Sequence, residues 1–307
     1  MKTEDKGKTI KESNQMSKKM EEQRKYIDII AQIDNSFARI KRIRPLSSSE
    51  VNYFLQEFSI SASHNSNAIE GNTFTFDETK LLIEKGIVTG AHSLRESEDI
   101  IGYKNAFDFL YKAVKEKTPV TEDLIKKIHS FVLRGDEEAG KYRSIQNYVG
   151  NMTRIVYTPC PPSKVPEKMK EYVEGFQVDF EKNKRIVKEE KIDWYALFHT
   201  LAKHHIEFEN IHPFIDGNGR TGRLLLIYEM ISLGLLPVDI RYEERDRYYA
   251  AISSYRDKEK YSTRPESKTE KMAKLLAESE QESMQMWLNV FVENNNEEIS
   301  LGPNINM

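Results

Sequence analysis

The residues best able to do chemistry lie in one short stretch, His212-Pro213-Phe214-Ile215-Asp216-Gly217-Asn218-Gly219-Arg220-Thr221-Gly222-Arg223. A glycine-rich loop here runs straight into a strongly apolar segment that reads as a helix. The first turn of a helix offers unpaired N–H groups and a partial positive charge. Gly217 and Gly219 let that backbone approach an anion closely. Arg220 and Arg223 are three residues apart and project near one helix face. Two guanidinium groups beside an open helix end suit a di- or triphosphate. Asp216, a carboxylate beside such phosphates, is placed to hold Mg2+. His212 stands at the loop entrance, where a neutral imidazole can take a proton from an attacking hydroxyl near pH 7. A base, a metal carboxylate, an anion hole and two arginines are the equipment of phosphoryl or nucleotidyl transfer.

The elements around this loop must hold it. Trp194, Phe198, Leu201 and Phe208 predict an amphipathic helix over Asp193–Phe208. Leu224, Leu225, Leu226, Ile227, Met230 and Ile231 make Asn218–Leu233 apolar nearly all round, so that helix should be central and buried. Helices are also predicted over Glu21–Arg42, Glu50–Phe58, Ser93–Lys117, Thr121–Leu133, Ser163–Lys182, Tyr242–Tyr255 and Thr269–Val292. A short one is expected to start at an Asp77 cap and end near Gly86, and a short segment Ser61–Glu70 should stop at Gly71-Asn72. Ser144–Thr158, with β-branched Ile145, Val149, Ile155 and Val156 around Gly150-Asn151, reads as a hairpin. Residues 1–20 are polar and lysine-rich and read as a mobile tail, and 294–307 as a loose, asparagine-rich one. The fold class is all-α with one short β-hairpin.

The bulk properties narrow the partners. The chain has 307 residues, 38% hydrophobic and 31% charged, enough for a sizeable core under a charged surface. A net charge of −3 gives no global basic field, which disfavours nucleic acid as main partner. The N-terminus is polar, and the longest apolar run, Leu224–Tyr228, is far too short to span a bilayer. One cysteine, Cys160, allows no internal disulfide, so a cytoplasmic protein is expected.

The stretch His212–Arg223 resembles the Fic-family signature H-P-F-x-D-G-N-G-R-x-x-R without departure. The resemblance spans about Ser61 to Tyr255. It implies a helical domain over 61–256, with N-terminal helices at 21–60 and a C-terminal helix at 257–293 outside it. It implies ATP with Mg2+ as co-substrate and transfer of AMP to a Ser, Thr or Tyr hydroxyl of a protein, releasing pyrophosphate. By position, His212 would be the base and Asp216 the Mg2+ ligand. Asn218 with the Gly217 and Gly219 amides would bind the α-phosphate region, and Arg220 and Arg223 the outer phosphates. The Doc branch, which phosphorylates, lacks the second glycine; Gly219 is present here, which points to nucleotidyl transfer.

Three further segments gain meaning from this resemblance. By itself, Glu70 is a surface glutamate before a C-cap glycine, and Ser66, four residues earlier, shares its face. Ser66-x-x-x-Glu70-Gly71 is similar to the family's inhibitory helix, here 61–71. In that helix the glutamate pairs with the second signature arginine, which would be Arg223, and displaces the γ-phosphate. Some members so arranged also remove AMP from their targets. The hairpin 144–158 is either structural or similar to the family's flap, which pairs with an extended target segment by strand addition; Val149 and Tyr157 are its expected contact residues. Tyr249, in Arg245-Asp246-Arg247-Tyr248-Tyr249, is either a core residue or stacks on the base side of ATP. Arg256 stands where some relatives carry an asparagine at the base.

Other signals read as packing. His199, His204 and His205 lack the four-residue spacing of a zinc helix. Leu275, Leu276, Met284, Trp287, Leu288 and Phe291 mark a last helix that packs on the core or forms a homodimer contact. Besides AMP transfer, the same cradle could serve phosphotransfer or phosphodiester hydrolysis, or a nucleotide-sensing adaptor. A pure sensor, however, has no need of a base.

Overall fold

The computed structural model describes residues 2–42, 48–151, 154–189, 191–255 and 268–290. Arg256 and the 294–307 tail lie outside these residues. The chain divides into two units, residues 44–279 and residues 1–43 with 280–307.

In the first unit the helices are α2 (Ser48–Ile69), α3 (Phe76–Lys85), α4 (Leu94–Lys115), α5 (Glu122–Val132), α6 (Val165–Ile186), α7 (Trp194–Ile211), α8 (Asn218–Leu233) and α9 (Arg245–Tyr255), with most of α10 (Glu270–Leu288). Between α5 and α6 stand two short antiparallel strands, β1 (Val149–Asn151) and β2 (Arg154–Tyr157), pairing Val149 with Tyr157, Gly150 with Ile155 and Asn151 with Arg154. The hairpin is narrower than 144–158, and Ile145 lies outside it, exposed. The helical fold class holds.

As its composition demands, α8 sits at the centre and packs against α2, α4, α5, α6 and α7. All of its residues are buried except Gly219, Ile231 and Ser232, which are half-buried. Its apolar faces join Phe107, Ile125, Ile128, Phe208 and Phe214 in the main core cluster.

Two expectations about the N-terminal side change. The segments Glu50–Phe58 and Ser61–Glu70 are one helix, α2. Nothing between them can break it: there is no glycine or proline, and Leu55, Phe58 and Ala62 keep one buried stripe going. The serine hydroxyls that might have competed with the helix bond locally instead, Ser59 to Gln56 O and Ser63 to Ser59 O. Gly71, at φ 96°, then stops α2 as expected. The cap of α3 is Thr75 rather than Asp77. Its hydroxyl accepts from Glu78 N–H while the Glu78 carboxylate accepts from Thr75 N–H, a reciprocal pair that Asp77, one residue inside, cannot make.

In the second unit α1 runs Lys2–Arg42, so residues 2–20 are helical rather than a loose tail. The stretch has no proline and carries six lysines with two glutamates and two methionines, all good helix formers, which offsets its lack of an apolar face. Tyr26 and Ile33 are buried in this unit, as are Met284, Trp287 and Leu288 of α10.

Candidate active site

His212 closes α7 in the left-handed conformation, φ 52° and ψ 59°, a strained choice for a residue other than glycine. The strain is held by several bonds. His212 N–H donates to Phe208 O at 3.0 Å, and the Arg143 guanidinium donates from Nε to His212 O at 2.8 Å. Arg143 N–H adds a bond to Pro213 O. The ring's Nδ1 lies 3.3 Å from Glu209 O. A carbonyl can only accept, so Nδ1 carries the proton and Nε2 the lone pair. In a neutral ring Nε2 is then the atom able to accept a proton.

The loop after it is folded by its own side chains. Asn218 Oδ1 accepts from Phe214 N–H and its Nδ2 donates to Phe214 O, both at 2.9 Å. The Asn218 amide was expected on the phosphates; it is spent on shaping the loop. The Gly217 N–H is likewise taken, by Asp216 Oδ1 at 2.6 Å. Gly217 is at φ 70°, and an added Cβ would sit 3.1 Å from Val132 Cγ1, so glycine is required there. The first intrahelical donor of α8 is Thr221 N–H, to Gly217 O. The N–H groups of Asn218, Gly219 and Arg220 precede it and have no acceptor within the helix. These, rather than the Gly217 N–H, are the backbone donors at the start of α8 that could meet an anion.

His129, which the sequence did not flag, sets the loop from below. Its ring stacks flat on Phe214, 3.6 Å between centroids at 4°. Gly140 N–H donates to Nδ1 and Nε2 faces Asp216 O at 3.0 Å, so Nε2 carries the proton and the ring is neutral. Burial is the main reason its pKa falls to about 4, with Arg220 adding to the drop. Only the contact with a residue 87 positions away reveals this role.

The two arginines answer to different neighbours. Arg220 is buried and paired to Asp99 of α4, with Asn67 Oδ1 at 3.5 Å and Asp216 Oδ1 at 3.6 Å. It ties α8 to α4 and α2 through Nη1. Arg223 meets the end of α2 and the residue after it at three points: Nε on Ser66 Oγ at 2.8 Å, Nη2 on Ser66 O at 2.9 Å, and Nη2 on Glu70 Oε1 at 2.7 Å. Burial works against its charge, yet the Tyr248 oxygen and the Glu70 carboxylate outweigh it and push its pKa up. The same Glu70 oxygen lies over the start of α8, where a Cβ added to Gly219 would be 2.2 Å from it. A carboxylate thus occupies the place prepared for an anion.

Tyr249 donates to Ile69 O at 3.1 Å, next to Glu70, and the residue is 43% exposed. Burial, with Glu70 nearby, lifts its pKa to about 12. Tyr157 does not face outward as a flap contact. It is buried, and its hydroxyl donates to Asn210 O at 2.7 Å, anchoring the hairpin to the end of α7; Val149 is half-buried. His199 and His204 are core residues. His199 bonds Thr269, and His204 lies between Glu229 at 3.0 Å and Asp179 at 3.3 Å. Burial opposes the His204 charge, but the two carboxylates outweigh it and raise its pKa to about 9.

Among the described residues no cluster of three His, Cys, Asp or Glu side chains could by itself hold a metal. A Mg2+ ion that arrives with a nucleotide needs only one or two protein carboxylates beside phosphate oxygens. Asp216 fits: it is 56% exposed at the mouth of the α8 N-terminus, and among the described residues its Oδ2 is held by Arg95, at 3.1 Å and itself exposed. Arg95, also missed in the sequence, reaches Asp99 at 3.7 Å and Asp136 at 3.6 Å as well.

Residues 119–230 match the family model described as the Fic/DOC family. The chain is 31% identical over 233 residues to a protein adenylyltransferase fic-1 of Caenorhabditis briggsae, covering 75% of this chain and 42% of that protein. It is 35% identical over 189 residues to the fic-1 of Caenorhabditis elegans, covering 60% and 34%. It therefore spans well under half the length of these curated relatives. Among solved structures, a Fic domain containing signaling protein from Bacteroides thetaiotaomicron shares the fold, at a TM-score of 0.75 and 23% identity, over 84% of this chain and 96% of that one. Fic-1 residues 134–508 from C. elegans align at a TM-score of 0.70 and 25% identity, over 88% and 73%. No helix among the described residues is long and apolar enough to cross a membrane.

Proposed function

Through the domain at residues 119–230 the chain belongs to the Fic/DOC family, and from that premise we propose that it is a protein adenylyltransferase held in check by Glu70. The observation that carries the reading is the Glu70 carboxylate seated between Arg223 and Gly219, because it marks an anion site at the start of the helix that the His212 loop leads into, and the neutral His212 ring keeps Nε2 as its basic atom. The N–H groups of Asn218, Gly219 and Arg220 receive the α-phosphate region of ATP, and Arg223 the outer phosphates. His212 Nε2 takes the proton of a protein hydroxyl as its oxygen attacks the α-phosphorus and pyrophosphate leaves. Mg2+, held by Asp216, would neutralise charge on the phosphates. The hairpin edge offers backbone groups to an extended target segment. With Glu70 in place, Arg223 and the space over Gly219 are already taken, and ATP lacks its outer-phosphate contact. The lone, buried Cys160 suits a reducing cytoplasm.

Incubation with α-labelled ATP tests the proposal. Glu70→Gly should label protein and the Glu70→Gly/His212→Ala double variant should not. Label from γ-labelled ATP instead would mean phosphotransfer. No protein label from either nucleotide, with nucleotide still bound, would mean an adaptor.

A further inference from the structure

Arg223 has a second set of partners that does not belong to α2. Its Nη1 donates to the hydroxyl of Tyr248, on α9, at 3.4 Å, and the guanidinium carbon lies 5.6 Å from the centre of that ring. The Tyr248 hydroxyl in turn lies 2.8 Å from His205 Nε2, on α7. His205 Nδ1 lies 3.2 Å from Gly222 O, on α8 itself. All three side chains are buried.

The direction of each bond can be assigned. Gly222 O can only accept, so His205 Nδ1 carries the ring proton. The ring is neutral, since burial, with Arg223 beside it, drives its pKa down to about 3. Nε2 is then an acceptor, and the Tyr248 hydroxyl must donate to it. That points the oxygen lone pairs of Tyr248 away from His205, where they can accept from the Arg223 guanidinium. With His205 missing, the hydroxyl could rotate and spend its proton elsewhere. The order Arg223 to Tyr248 to His205 to Gly222 starts and ends on α8, so it forms a closed brace on one helix.

The two sets of partners differ in what happens to them. Glu70 must give way for an outer phosphate to reach Arg223, and Ser66 lies in the last turn of α2, which Glu70 directly follows. Tyr248, on α9, and His205, on α7, make no contact that an incoming outer phosphate has to displace. We propose that Tyr248, oriented by His205, is the positioning residue that keeps the Arg223 guanidinium at the outer-phosphate place once Glu70 has left it. This rests on the adenylyltransferase reading, in which Arg223 meets the outer phosphates.

The brace makes a conditional prediction that a merely structural pair of residues would not. Binding of ATP and of AMP is measured by calorimetry on the full chain in the Glu70→Gly background, with melting temperature recorded for each variant. Tyr248→Phe keeps the ring that packs on Tyr249 and His205 and removes only the hydroxyl. It should weaken ATP about tenfold, the scale of one hydrogen bond to a charged group, and leave AMP, which lacks outer phosphates, within about twofold. His205→Leu should reproduce that ATP-selective loss. His205→Gln, with an amide N–H for Gly222 O and an amide oxygen for Tyr248, should restore it. Equal losses for ATP and AMP, or no loss for either, overturn the brace. Failure of Glu70→Gly itself to bind ATP would instead overturn the underlying assignment of the phosphate site, and the brace with it.

Discussion

Glu70 Oε1 lies 2.7 Å from Arg223 Nη2 and directly over Gly219 at the start of α8. One carboxylate oxygen thus answers both a guanidinium and a helix N-terminus, the two features that would otherwise attract an anionic ligand. The pairing is possible because Gly71 stops α2 one residue later. Ser66, one turn back, steadies the same guanidinium through its hydroxyl and its carbonyl. A carboxylate in the last turn of a helix opposes that helix's dipole. Arg223 and the α8 dipole offset the cost, so Glu70 is stable where it is only as long as nothing more highly charged competes for the place.

Glu70→Gly should therefore open the site. ATP affinity is expected to rise by about tenfold or more, because a charge-assisted hydrogen bond no longer competes for Arg223. Glu70→Gln keeps the side-chain shape with no charge and should fall between the two. Calorimetric titration with ATP checks this, and equal affinity in all three proteins would remove Glu70 from the account.

Gly219→Ala should separate the fold from the site. Gly219 has an ordinary helical φ, and the nearest atoms to an added Cβ are the side-chain ends of Glu70 and Arg223. Those ends can swing away, and alanine favours the helix by roughly 0.5–1 kcal/mol. The melting temperature should hold or rise. The methyl group would nevertheless stand where the Glu70 oxygen now sits, so ATP binding should stay lost even in the Glu70→Gly background. A double variant that still bound ATP would place the anion elsewhere.

The loop 212–223 was legible in the sequence because its chemistry is written in residue types at fixed short spacings, and α8 because it is apolar on every side. Glu70 was legible only through resemblance, since alone it is a glutamate before a capping glycine. The atoms that the structure engages within the loop share another cause. The Asn218 side chain and the Gly217 N–H looked available because nothing in the sequence says that Phe214 and Asp216 would claim them. His129 and Arg95 carry no signal in the sequence, and His205 and Tyr248 read there only as packing or as neighbours of Tyr249, because their roles depend on contacts between distant parts of the chain. Tyr157 looked outward because alternation along two short strands leaves either face open to choice, and the pairing with Asn210 O decided it.

Arg95 should act as a weak competitor for Asp216. Its guanidinium holds Oδ2 at 3.1 Å while both side chains stay more than half exposed, so the pair is worth little. Arg95→Ala should lower the Mg2+ concentration for half-maximal labelling by about twofold to fivefold in the Glu70→Gly background, the range for an exposed ion pair. A change in ATP affinity measured without Mg2+ would show instead that Arg95 touches the nucleotide itself.

Stability should peak near neutral pH, and the histidines set both slopes. His129 and His205 are held neutral, with pKa values lowered to about 4 and about 3, mainly by burial. Below about pH 6.5 the unfolded chain binds protons that these two refuse, so stability present above that pH is lost as the pH falls toward their folded values. His204 runs the other way. Its carboxylate partners raise it to about 9, so its contribution is complete below about pH 6.5 and is lost as the pH rises through 9. Thermal melts should show Tm falling by roughly 10 °C between pH 6.5 and 4.5, given a loss of a few kcal/mol in a domain of this size. His129→Gln, which can still donate to Asp216 O and accept from Gly140 N–H, should flatten the acid slope and leave the alkaline one unchanged. An acid slope untouched by that substitution would mean that His129 is already protonated in the fold, and that the flat stacking on Phe214 does not depend on a neutral ring.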